Sequence, residues 1–226
     1  MTKKILLINL FCFFVFGAFS QGSFRIKADI TIKIKNPDST FQYTKGTVRY
    51  DKNIKKVLYN ISFPQKEVYV SADTLIFKYQ NGKLISRQGS PLKPEFSIFH
   101  FILNNDISDF GLKNSSFKAT NIEKANDLII TKWTAPPVPD FPLGDILVSS
   151  KDKKLQSVII HDKKGVIISR QLFKKYTFIN GTEIPTEILS ISYFGGKKSY
   201  QIIQFDHVLI NEPGHDSDYD FQIDKN

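Results

Sequence analysis

The sequence predicts a mainly β protein with few helices (α+β), an incomplete antiparallel β-barrel or strongly curved sheet with a helical lid enclosing a hydrophobic cavity. Three observations carry this. Most of the chain alternates apolar and polar residues with period 2. The alternating runs are separated by short turn signals, short enough for hairpins. One segment is apolar on every side, so it must be covered by other elements or cover them itself. With 41% hydrophobic and 23% charged residues in 226, the chain can bury a real core.

The first twenty residues do not belong to that core. Lys3 and Lys4 precede an apolar run from Ile5 to Phe19, and Ala18-Phe19-Ser20 places small residues at the spacing a signal peptidase reads. Residues 1–20 are therefore expected to be a signal peptide cleaved after Ser20, and 21–226 a single exported domain. About fifteen apolar residues are short for a membrane span. Cys12, the sole cysteine, lies in that run, so the mature chain is expected to hold no disulfide and no cysteine metal site. Losing Lys3 and Lys4 lowers the formal charge from +9 to +7. A basic surface suits nucleic acid, anionic headgroups or an acidic protein, and export removes most of the case for nucleic acid. Lysines on the wet faces of strands, such as Lys27, Lys33 and Lys35, also protect against aggregation.

The first strand is FRIKADITIKIK, residues 24–35, with every even position apolar and every odd one polar. Twelve such residues span about 40 Å, long for a strand in a compact domain. The turn Asn36-Pro37-Asp38-Ser39 leads to a strand over 41–50, and a lysine-rich turn over 51–56 to another over 57–63 ended by Pro64. Strands follow over 68–70 and 75–79, and Asn81-Gly82 turns the chain into 83–87. The second half repeats the theme over 128–133, 145–150, 155–162, 165–173, 186–194 and 199–210.

Two stretches break the pattern. FSIFHFILNNDISDFG, residues 96–111, puts Phe96, Phe99, His100 and Leu103 at helical spacing, with Ile98, Phe101 and Ile102 on other faces, and is expected to cross the sheet as a lid. Residues 134–144 hold four prolines and read as a stiff loop whose Val138, Phe141 and Leu143 are free to pack.

Catalytic and metal chemistry find little support. His100, His161, His207 and His215 form no pair at metal spacing. Asp109-Phe110-Gly111 matches a kinase tripeptide without the accompanying loops. Asp216-Ser217-Asp218-Tyr219-Asp220 starts like a calcium loop, but Phe221 stands where glycine is required, and the segment is expected to be a solvated end. The chain is expected not to be an enzyme and to carry no cofactor or metal.

The order of elements and several local patterns resemble the periplasmic lipoprotein carrier and receptor family, LolA and LolB. The resemblance runs through Gly46-Thr47-Val48-Arg49-Tyr50, then Val57 to Phe63 with Pro64. It continues through Val70-Ser71-Ala72-Asp73-Thr74-Leu75-Ile76-Phe77-Lys78-Tyr79, the apolar segment at 96–110, and Ile159-Ile160-His161-Asp162-Lys163-Lys164-Gly165. It covers roughly residues 24–210 and is one of pattern more than of invariant motifs. It implies a half-barrel whose helices plug a cavity for the acyl chains of a lipoprotein or other lipid. An inner-membrane transporter and an outer-membrane acceptor would be partners of a monomeric carrier that binds no nucleic acid. Candidate cavity residues are Ile30, Ile32, Ile34, Val48, Tyr50, Tyr59, Ile61, Phe77, Phe96, Phe99, Phe101, Leu103 and Trp133, and their alternative role is dry core.

Two departures stand out. The family's gating arginine is replaced by the run Asp51-Lys52-Asn53-Ile54-Lys55-Lys56, where Lys52 is the nearest basic match and lacks a guanidinium fork. The helix that opens the family's fold has almost no room before residue 24 once residues 1–20 are removed. Either the 96–111 segment and the proline loop plug the barrel alone, or the even face of the first strand is more open than in the relatives. A non-enzymatic interaction or sensor module with a filled core, binding an envelope protein, is the alternative function.

Overall fold

A computed structural model describes residues 24–90, 93–139 and 141–224. The expected signal peptide lies outside the described residues. Thirteen strands form one antiparallel sheet: β1 (Arg25–Lys35), β2 (Phe41–Asp51), β3 (Lys56–Phe63), β4 (Glu67–Ala72), β5 (Leu75–Gln80), β6 (Lys83–Gly89), β7 (Lys118–Ala125), β8 (Leu128–Thr134), β9 (Ile146–Lys151), β10 (Lys154–His161), β11 (Ile167–Ile179), β12 (Thr182–Phe194) and β13 (Lys197–Ile210). The order across the sheet is β6-β5-β4-β3-β2-β1-β13-β12-β11-β10-β9-β8-β7, so the first and last strands meet in the middle. Among the described residues the two edges, β6 and β7, remain unpaired, and the sheet is not closed. The 93–117 segment connects these edges and holds the helix α1 (Ile98–Leu103) and three short 3-10 turns.

The alternation of β1 sets two faces. Ile26, Ala28 and Ile30 are buried, and pairing places Tyr50, Val48 and Gly46 opposite them on β2. Gly46 is required at its place, because a Cβ there would run into the Asn60 carbonyl of β3. The same face continues through Phe205 of β13 and Ile188 of β12 to Trp133 of β8 in one apolar cluster. α1, about 9 Å long, touches β1 and β12, and the 3-10 turn at Ile107–Asp109 reaches β9 and β10, so the crossing segment covers the inner face from β1 to β9.

The other face carries a second, smaller core of Leu58, Val70, Phe77 and Tyr79. The tail after β13 covers it: Phe221 and Ile223 pack on this cluster, and Tyr219 is 1% exposed. This corrects the expectation of a solvated end. Arg25, Lys27, Arg49 and Lys56 form ion pairs with Asp216, Glu212, Asp218 and Asp220, so the acidic tail is strapped to the basic outer face of the first strands. The Arg25 guanidinium lies 4.6 Å from the Tyr219 ring centroid and 3.4 Å from Asp51.

Two further corrections concern elements. β7, KATNIEKA, carries no strand signal in the sequence, since exposure along its whole length leaves no apolar face to alternate. The helix expected over 96–111 extends only over Ile98–Leu103. Asn105, Phe110 and Gly111 take left-handed conformations that end helical turns, and a side chain at Gly111 would strike the Phe101 ring.

Candidate functional site on the inner face of the sheet

The inner face gathers most of the predicted residues. Ile30, Val48, Tyr50 and Trp133 are buried there, with Ile32 and Tyr59 partly buried against them. Ile34 and Ile61 lie half-buried further along the same face, as their pairing with Gln42 and Gly46 requires. From the crossing segment, Phe99, Phe101 and Leu103 point into the cluster, and the Phe99 and Phe205 rings meet at 5.5 Å. Two residues are not on this face. Phe77 pairs with Val70 and belongs to the outer cluster, and Phe96 is 54% exposed on a 3-10 turn. Sequence reasoning missed Phe173, Ile188 and Phe205, although the alternation of their strands carries the signal. In the proline loop Phe141 packs against Phe117 at 5.6 Å, while Val138 is exposed.

The crossing segment adheres by side chains. Its backbone hydrogen bonds all close within the segment among the described residues, such as Asn104 N to His100 O and Gly111 N to Asp106 O. Its polar links to the sheet are few: Lys52 donates to Asn104 Oδ1 at 3.4 Å, and Lys55 and Lys93 pair with Glu95 and Asp73. Lys52, the nearest basic match to the gating arginine of the family resembled, thus touches the C-terminal cap of α1.

His100 makes the remaining link. Its Nδ1 lies 2.7 Å from the Tyr50 hydroxyl and its Nε2 2.7 Å from Asn104 Nδ2. With the Asn104 carbonyl turned to Lys52, its amide N–H donates to Nε2, and Nδ1–H donates to Tyr50. Burial pushes the His100 pKa below its ordinary value, against the opposing charges of Glu95 and Asp106 and with the help of Lys52 and Lys55. Folding thus holds the ring neutral, and the unfolded chain protonates first. The stability contributed here is complete above about pH 6.5 and is lost as pH falls through that value towards the folded one. Protonated Nε2 would also face the Asn104 amide donor to donor. Hydrogen exchange of α1, corrected for intrinsic rates, is expected to accelerate below about pH 6.5, and His100→Gln is expected to remove that dependence.

Along the strands the inner face changes character. Beneath α1 it is apolar, and Tyr59 there has its pKa pushed up to about 12 by burial. Towards the β12–β13 turn it becomes uncharged and polar, with Gln171, Ser190 and Gln201 side by side and Ser169, Ser192 and Ser199 beyond them. Trp133 Nε1 is buried without a hydrogen-bond partner among the described residues. A separate 920 Å³ cleft on the outer face is bounded by Thr31, Lys45, Asn60, Tyr79 and His207, with His207 2.9 Å from Asp29. No group of three or more His, Cys, Asp or Glu among the described residues is arranged to hold a metal ion.

No protein-family model matches the chain, and no curated protein matches its sequence. Solved structures do match its fold. A domain described as an outer membrane lipoprotein-sorting protein from Vibrio parahaemolyticus superposes with a TM-score of 0.63 at 14% identity, over 88% of this chain and 90% of that one. A DUF1329 family protein from Desulfovibrio piger gives 0.60 at 14% identity, over 88% and 91%. A LolA superfamily protein from Nitrosomonas europaea gives 0.56 at 13% identity, over 87% and 89%. At such identities the likeness is one of fold.

Proposed function

Because the chain has a LolA-like fold, we propose that it is a non-enzymatic periplasmic carrier that binds the acyl chains of a lipoprotein or related lipid and passes them to the outer membrane. It would be exported through cleavage after Ser20, work as a monomer, take cargo from an inner-membrane transporter and yield it to an outer-membrane acceptor. The observation that carries this reading is the attachment of the crossing segment by side chains to a continuous apolar wall. Such a segment can act as a lid. Its displacement breaks no backbone ladder, and an acyl chain entering beneath it replaces one apolar contact by another at about 0.8 kcal/mol per buried methylene. The polar stretch around Gln171, Ser190 and Gln201 suits a head group, and the unused indole N–H of Trp133 suits an ester or amide carbonyl.

A second reading, a solid interaction module, is favoured by the burial of Phe99, Phe101, Ile102 and Leu103, which fill the interior in this conformation. Titration with a dansylated fatty acid separates the two. The carrier reading expects uptake, a loss of at least about tenfold in Ile203→Glu, where a charge enters the inner wall, and no loss in Leu209→Glu on the exposed outer side. Absence of uptake by the unmodified protein supports the solid module.

A further inference from the structure

Six connections share one end of the sheet: those joining β1 to β2, β3 to β4, β5 to β6, β8 to β9, β10 to β11 and β12 to β13. We propose that this rim docks on an anionic phospholipid surface.

Of the seven exposed aromatic side chains among the described residues, five lie here: Phe41, Tyr43, Phe63, Phe194 and Tyr200. Phe96 and Phe178 lie at the opposite end. Phe194 is 90% exposed at the tip of one hairpin and Phe41 74% at the base of another. Their strands, β12 and β2, are three spacings apart, about 14 Å. Rings standing on separate hairpins define a surface rather than a pocket, and a deformable interface meets such a surface more readily than a rigid protein does. The gathering of five of them at one end, rimmed by polar residues, is the pattern of an interaction surface.

Charge decides what covers them. Lys35, Lys163, Lys164, Lys197 and Lys198 lie at the same end of the sheet and make no ion pair among the described residues. Lys35 and Lys198 instead lie 5.9 and 5.6 Å from the centroids of Phe41 and Tyr193. The rim acids are already engaged: Asp38 accepts from Thr40, Asp162 from the backbone of Lys164 and Val166, and Glu67 and Asp145 pair with Lys78 and Lys132. At the opposite end Lys151 and Lys154 are neutralised by Asp127 and Glu183. Aromatic rings that settle at headgroup depth, with free ammonium groups at the same end, fit a bilayer bearing negative charge.

Co-sedimentation of the full chain with phosphatidylcholine vesicles, with and without phosphatidylglycerol, tests this. Binding is expected only where phosphatidylglycerol is present and is expected to weaken with added salt. At about fivefold per lysine, Lys197→Glu with Lys198→Glu is expected to lose at least about 25-fold. Phe194→Ser with Phe41→Ser is expected to weaken binding, whereas Phe178→Ser at the far end is not. These positions are exposed, and an unchanged far-UV spectrum confirms that each variant folds. Equal binding to both vesicles, binding to neither, or full binding by the folded lysine variant overturns the proposal. Acyl uptake in vesicle-free solution reads the inner face alone, so the carrier reading and the docking rim can fail separately.

Discussion

Arg25→Ala is expected to destabilise the protein by about 3–5 kcal/mol, the usual consequence of removing one partner of a buried charge pair. Arg25 is 8% exposed and Asp51 2%, so the substitution strands a carboxylate that water cannot reach. Asp51 would still accept from the Asn53 and Ile54 amides in the β2–β3 turn, which softens the loss without replacing a cation. The tail loses its anchor too, because Arg25 also holds Asp216 at 2.7 Å and the Gly214 carbonyl at 3.2 Å while stacking on Tyr219. A fall in melting temperature of roughly 6–20 °C follows for a chain of this size. Arg25→Lys is expected to lie between, since it restores charge without the planar fork. Chemical denaturation with and without the substitution measures the difference, and a loss below about 1 kcal/mol would show the pair to be worth no more than a surface contact.

Phe99→Ala is expected to have an effect of similar size and different reach. Removing a buried phenylalanine costs about 3–5 kcal/mol, and Phe99 is 3% exposed against Phe205. If the crossing segment opens as a unit, the loss appears as faster hydrogen exchange over residues 93–117, with much smaller changes in β1 and β13. Acyl uptake rises in the same variant, because the lid competes less well for the wall. Uniform acceleration across the sheet would instead mark α1 as fixed core.

The sequence made the middle of the sheet readable because β1, β2, β12 and β13 are long and one-sided, and period 2 assigns every side chain to a face. Phe77 shows where this fails. Leu75-Ile76-Phe77 is apolar in both parities, so only pairing with Val70 decides its side, and a tail from the far end of the chain decides what covers it. The tail was unreadable for a related reason. Asp216 and Asp220 find partners in Arg25 and Lys56, and an acidic segment looks solvated until strands 191 and 164 residues away supply its counter-charges. The inner site was half legible: the first-half wall and the aromatic residues of α1 carried a pattern, whereas the helix length depended on left-handed turns at Asn105 and Phe110 that hydrophobic spacing does not encode. The fold resemblance rested on element order, which survives at identities where motifs do not.

Whether the inner wall receives acyl chains is read by native mass spectrometry of the protein, gently purified from its own cell envelope. A fraction carrying added mass that fragments to fatty acyl groups is expected, and that fraction is expected to be lost in Ile203→Glu. Protein found consistently at its bare mass, with no acyl probe taken up afterwards, would contradict acyl binding by this wall.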